Sequence, residues 1–202
     1  MSEQKSASET AETAALLRAV ACFEPDEKIK GRDNLARLFL SEERQDKLDK
    51  EPYRSAVKAA APNGVYEYVI ARTIYFDELF ANTIKGGIPQ VVLLGAGYDS
   101  KAYRFAGLVG AVKLFEVDAP FTQERKISIL KANGIDCGKV AFVPVDFEKD
   151  DLFERLGERG YDPTQRTLFL WEGVALYLSL EAVRVTLMAI KQGSRESILA
   201  FD

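Results

Sequence analysis

The sequence contains no histidine and only two cysteines in 202 residues. Without histidine there can be no Ser-His-Asp or Cys-His nucleophile system. Most zinc sites are excluded as well, and the commonest general base near neutral pH is missing. Cys22 and Cys137 stand far apart, without metal-like spacing, and read as reduced, mostly buried thiols; no metal site is expected. No apolar run approaches the ~20 residues of a membrane-spanning helix. The first ten residues are polar and lack the basic-then-apolar pattern of a secretory signal. Positive charge is in deficit, with 27 Lys and Arg against 31 Asp and Glu. That balance argues against a protein that grips nucleic acid by neutralising phosphates. A cytoplasmic protein with neither nucleic-acid nor membrane partners is the expectation.

What is present reads as one globular α/β unit. The first half is helical. A small-residue helix over residues 10–23 is stopped by Pro25, and Asp33 or Asn34 caps a segment through Leu40. A charged surface helix follows at 41–50, and a short helix lies between Pro52 and Pro62. A long helix is expected from Asn63-Gly64 to about Lys85. In it Val65, Tyr68, Val69, Arg72, Tyr75, Phe76, Leu79 and Phe80 follow the spacing of one buried stripe. Arg72 is the odd member, because a guanidinium in an apolar stripe must find an anion or snorkel to water.

From Gln90 onward strands alternate with helices. Strands are expected at 91–94, 112–117, 140–145, 167–171 and 197–201, and helices at 100–108, 120–133, 150–158 and 179–191. This alternation predicts βαβ units and a mostly parallel sheet with helices on both faces.

The first strand runs into Gly95-Ala96-Gly97 and then a helix. In open parallel sheets ligands sit beyond the carboxyl ends of the strands, where glycines allow a tight turn and close approach. Such a turn alone is weak evidence, since strand-to-helix turns use glycine structurally. Support comes from Asp118, an acid that ends the second strand 21 residues beyond Gly97. That separation suits a carboxylate binding ribose hydroxyls. Asp146 and Glu172 close the third and fourth strands. Such acids can equally be solvated or cap the next helix, as Asp118 before Pro120 would. Ser100 stands where a dinucleotide fingerprint has its third glycine. No Tyr-x-x-x-Lys pair and no Gly-Lys-Ser/Thr phosphate loop occurs. A cofactor with ribose and adenine but no phosphate, S-adenosylmethionine, fits this pattern best. A nicotinamide-dependent enzyme and a non-catalytic binding module remain as alternatives.

Four stretches carry a resemblance: QVVLLGAGYDSKAYR at 90–104, FEVDAP at 115–120, FVPVD at 142–146 and WEGVALYL at 171–178. Together they resemble the leucine carboxyl methyltransferase family, including its bacterial O-methyltransferase branch, over residues 65–202. The resemblance implies a class I methyltransferase, Rossmann-like fold and S-adenosylmethionine as cofactor. It divides the chain into a helical lid region, 1–62, matched only loosely, and a cofactor-binding α/β domain, 63–202. It implies that Arg72 grips the methionyl carboxylate and that Gly95, with Gly97 in the same turn, lines the cofactor. Asp118 would bind the ribose, Asp146 and Phe147 would frame the adenine, and Glu172 would sit by the amino group and sulfonium. Tyr177 reads as core, with a pocket position as the alternative. The acceptor is expected to be an oxygen, that of a carboxylate or an acidic hydroxyl, on a small molecule or a protein terminus. Because the family's fold continues through a helix and two further strands, the sheet is expected to be incomplete after the fifth strand. The chain would then be a fragment, a truncated product or a part completed by a partner, binding cofactor with doubtful turnover.

Overall fold

The computed structural model describes residues 2–202, with side chains described from residue 9. The helices are α1 (Ser2–Ala21), α2 (Glu42–Leu48), α3 (Glu51–Ala60), α4 (Val65–Lys85), α5 (Lys101–Arg104), α6 (Ala106–Val109), α7 (Pro120–Ala132), α8 (Leu152–Glu158) and α9 (Leu180–Gln192). The strands are β1 (Gln90–Leu94), β2 (Lys113–Asp118), β3 (Val140–Pro144), β4 (Thr167–Trp171) and β5 (Ile198–Phe201). Two single 3-10 turns, Ala36–Phe39 and Ala175–Tyr177, complete the regular structure.

Local chemistry accounts for the boundaries. Pro52 and Pro120 sit in the first turns of α3 and α7, where the missing N–H costs nothing. Asp151 caps α8 by accepting from the amides of Phe153 and Glu154, and Ser179 caps α9 through Ala182. Asp33 accepts from the amide of Ala36 and so starts the 3-10 turn. The helix expected at 100–108 is instead two short ones, interrupted at Phe105.

All five strands are parallel, in the order β3-β2-β1-β4-β5. β1 and β4 are buried at every position, as continuous apolar strands covered on both faces must be. One core joins Val91, Leu93, Leu114, Leu168 and Leu170 of the sheet to α1 and α4. The other joins Val92, Leu94, Phe115, Val117, Phe169 and Trp171 to α8 and α9. Helices therefore cover both faces, as in the class I methyltransferase arrangement. The chain lays β1, β2 and β3 in one direction, then returns to place β4 on the other side of β1. A crevice opens at such a reversal, beyond the carboxyl ends of β1 and β4.

The expected stripe on α4 is displaced. The buried row is Tyr66, Val69, Ile70, Thr73, Phe76, Asp77, Phe80 and Ile84. Tyr68 and Tyr75 are 50% and 59% exposed, on the face that also carries Arg72. The large aromatic side chains made the wrong row look apolar, whereas the buried row includes Thr73, whose hydroxyl bonds back to the carbonyl of Val69. It also includes Asp77, which has a guanidinium partner.

Candidate functional site

β1 delivers the chain into Gly95-Ala96-Gly97, and both glycines take positive φ, +64° and +44°. At Gly95 the space of the missing side chain is taken by Val174, whose two methyl groups would collide with a Cβ. Gly97 donates its amide to Asp118 Oδ2. Asp118 Oδ1 accepts from Ala119 N at 2.6 Å, so the acid ending β2 ties the β1 turn to the start of α7. Burial pushes the Asp118 carboxyl up, against the opposing pull of those two amides. Ala11 of α1 stands over the same turn, 3.5 Å from where a Cβ of Gly97 would be.

Across the crevice, Arg72 does have partners. Its Nε lies 3.2 Å from Glu172 Oε1 and its Nη1 3.2 Å from Asp202 Oδ2. Burial opposes the charge on Arg72, but Glu172 and Asp202 outweigh it and keep the guanidinium protonated. Asp202 is also held by the Tyr68 hydroxyl and, at 2.6 Å, by the amide of Gly173. Gly173 has φ +68°, and a Cβ there would come within 2.8 Å of Arg72 Nη1. The second oxygen of Glu172 accepts from Lys101 Nζ at 2.6 Å. Lys101, 2% exposed, also reaches Asp99 Oδ2 at 2.8 Å and Asp77 Oδ1 at 3.8 Å. Burial disfavours its charge, yet the three carboxylates raise its pKa above the ordinary lysine value.

This cluster continues inward as an alternating series of charges. Arg104 forms two bonds to Asp77, at 2.6 and 2.7 Å, and lies 3.4 Å from Asp33. Asp33 pairs with Arg18 of α1 at 2.9 Å and accepts from the Ser100 hydroxyl. Burial works against the ionised Asp33, but Arg18, Arg104 and Ser100 hold its carboxyl below the usual range. α1 is thus wired to the glycine turn, and the turn to Arg72, through buried ion pairs.

Asp146 and Phe147 lie one strand beyond Asp118. Asp146 accepts from the amide of Glu148 at 3.1 Å and pairs with Lys149, which lowers its pKa. Phe147 stacks on Trp171, ring centroids 6.2 Å apart. The structure therefore gathers Gly95, Gly97 and Asp118 into one hydrogen-bonded turn and Arg72 with Glu172 into one cluster, and sets Asp146 and Phe147 at its flank. Tyr177 is 63% exposed, which corrects the core reading. Lys101, Asp202 and Tyr68 were not singled out from sequence. The signal for Asp202 was available, since it closes the fifth strand as Asp118, Asp146 and Glu172 close theirs. Two cavities, of about 500 and 800 Å³, lie elsewhere, against Ile70 and Ile74 of α4.

The sequence profile of the leucine carboxyl methyltransferase family matches residues 11–191. A protein of Mycolicibacterium smegmatis named as an S-adenosyl-L-methionine-dependent methyltransferase is 42% identical over 116 residues, 57% of this chain and 36% of its own length. One of Mycobacterium avium with the same name is 37% identical over 160 residues, covering 79% of this chain and 50% of its own. A Streptomyces coelicolor relative, named likewise, is 33% identical over 175 residues, 77% of this chain and 61% of its own. The chain thus spans about half the length of the curated relatives it matches. A solved O-methyltransferase family protein from Burkholderia thailandensis superposes with a TM-score of 0.45 at 10% identity, over 85% of this chain and 54% of its own. That distant likeness adds nothing to the strand order described above. With the family profile extending from α1 into α9, the chain belongs to the leucine carboxyl methyltransferase family.

Proposed function

We propose that this chain binds S-adenosylmethionine and serves methyl transfer to an oxygen, that of a carboxylate or an acidic hydroxyl. The observation that carries the proposal is Arg72, a guanidinium fixed between Glu172 and Asp202 beside the β1–β4 crevice. Its bonds to those two acids use Nε and Nη1, so Nη2 is bonded to neither. Guanidinium, phenol and glycine amide already converge on one carboxylate, that of Asp202. A guanidinium held in place by two acids beside the strand ends suits the α-carboxylate of an amino-acid cofactor. Asp118, which ends β2 beside the glycine turn, is the group proposed for ribose hydroxyls, and Asp146 with Phe147 for the adenine.

S-adenosylmethionine, when bound, supplies an electrophilic methyl group on a sulfonium. The work left to the chain is positioning. Arg72 holds the methionyl carboxylate, Gly95 and Gly97 let the backbone approach, and Glu172 offers an anion near the sulfonium. Alignment of acceptor and methyl carbon contributes on the order of 7–11 kcal/mol without a covalent intermediate. A carboxylate acceptor is ionised at neutral pH and needs no general base, which accords with a chain that has no histidine. We further propose that residues 1–62 act as a lid over a cofactor-binding unit, 63–202. Ala11 lying over Gly97 supports that division.

Titration calorimetry with S-adenosylhomocysteine tests the site. Binding is expected, weakened at least tenfold by Arg72→Ala, the cost of losing one charge-assisted contact of about 1.4 kcal/mol or more. No heat from a folded sample, or an unchanged affinity in Asp118→Ala, would falsify the assignment. Incubating lysate with isotope-labelled S-adenosylmethionine and the chain separates the acceptor classes. A base-labile label marks an ester, and a base-stable one an ether.

A further inference from the structure

We infer that Asp202 is a positioning residue for Arg72, holding the guanidinium so that its remaining edge faces an incoming carboxylate. The inference rests on the cofactor site proposed above. Two acids approach Arg72 from different elements, Glu172 at Nε and Asp202 at Nη1, each at 3.2 Å. The guanidinium lies against Gly173, where a Cβ would stand 2.8 Å from Nη1 and 3.1 Å from Nη2. Two charged contacts and the close backbone of Gly173 define the plane of the guanidinium, and neither acid takes Nη2. Arginine presents its donors in a fixed fork, so pinning two nitrogens aims the third.

Asp202 is itself over-determined. Its Oδ1 accepts from Gly173 N at 2.6 Å, and its Oδ2 takes both Arg72 and the Tyr68 hydroxyl. The carboxylate therefore joins three segments: the outer face of α4, the turn after β4 and the end of β5. A side chain serving only as a surface acid would not draw three donors. Tyr68, half exposed on the rim, donates to Asp202 and also contacts Arg72 itself, whose Cζ lies 5.5 Å from the centre of its ring. The same geometry permits an opposite role, in which Asp202 is an internal anion that a ligand carboxylate must displace. The two roles differ in the sign of one measurement. Because neither acid takes Nη2 while Asp202 is in place, the structure favours positioning.

The test compares two ligands by calorimetry on the same folded chain. S-adenosylhomocysteine carries the methionyl carboxylate, and methylthioadenosine lacks it. Asp202→Asn keeps an oxygen for the Gly173 amide and removes the charge that holds Arg72. The expected result is a loss of about tenfold in affinity for S-adenosylhomocysteine, of the order one charge-assisted hydrogen bond supports. Methylthioadenosine should bind as before. In an Arg72→Gln background Asp202→Asn should cause no further loss. Equal losses for both ligands would mean a purely structural role, and tighter binding of S-adenosylhomocysteine would mean a competing anion; either overturns the inference. So would wild-type binding that Asp202→Asn leaves unchanged. A folded wild type that binds neither ligand overturns the site itself and the inference with it. Should Asp202→Asn fail to fold, Asp202→Glu, which moves the carboxylate that holds Arg72, applies the same comparison, with a smaller loss confined to the carboxylate-bearing ligand.

Discussion

Gly173 illustrates how a single position can serve both backbone and site. Its φ of +68° costs an L side chain roughly 1–2 kcal/mol. Any Cβ would also strike the Arg72 guanidinium. Gly173→Ala should therefore lower stability by roughly that amount, read as a urea midpoint shift, and weaken S-adenosylhomocysteine binding in the same sample. Asp33 gives a pH-dependent prediction. Its folded pKa lies below the ordinary 3.8, so the stability it adds is complete above that value and is lost as pH falls through the folded pKa. Asp33→Asn leaves Arg18 without its carboxylate and should cost about 3 kcal/mol at pH 7. Urea titrations should show the gap to wild type narrowing below pH 3.8. At this scale the sequence was partly legible. Arg72 stood out because a charge sat in an apolar row, and Asp118 because of its distance from the glycines. Lys101 did not stand out, because one lysine at the start of a helix looks solvated. Only the fold shows three carboxylates closing around it.

Elements were read more securely than faces. Every strand and most helices fall where alternation and punctuation placed them, since glycine, proline and β-branched runs act locally. The buried row of α4 was misjudged because burial depends on what packs there: α1 and the sheet cover Val69, Phe76 and Phe80, while Tyr68 and Tyr75 face outward. Caps are likewise local. Asp151 accepts from two amides, at 2.9 and 3.0 Å, so Asp151→Ala should cost about 1 kcal/mol by denaturant titration. The junction of β2 with α7 behaves differently. Glu116 and Lys126 are both buried there, 2.8 Å apart, and burial raises the glutamate's pKa despite the lysine. Breaking this pair with Glu116→Leu alone should cost about 3–5 kcal/mol, whereas Glu116→Leu with Lys126→Met together should be neutral or stabilising. A double-mutant cycle of thermal unfolding distinguishes the two.

Over the whole molecule the alternating charges from Arg18 through Asp33, Arg104, Asp77, Lys101 and Glu172 to Arg72 link the N-terminal helix to the crevice. No periodicity could have revealed this series, because its members are brought together only when α1, α4 and α5 pack. Val174 adds a consequence of another kind. Its methyl groups fill the space where a side chain on Gly95 would stand, beside the turn proposed for the cofactor. Association should then take place in two stages, an opening of the segment after β4 and a capture. The observed rate would level off at high ligand concentration instead of rising without limit. The chain's one tryptophan, Trp171, is fully buried in the cluster that includes Val174, so its emission can follow the opening in a stopped-flow experiment. Val174→Ala should raise the plateau. A rate that stays linear in both proteins would mean that the segment opens faster than ligand arrives, and that the closed form sets only the affinity, never the tempo.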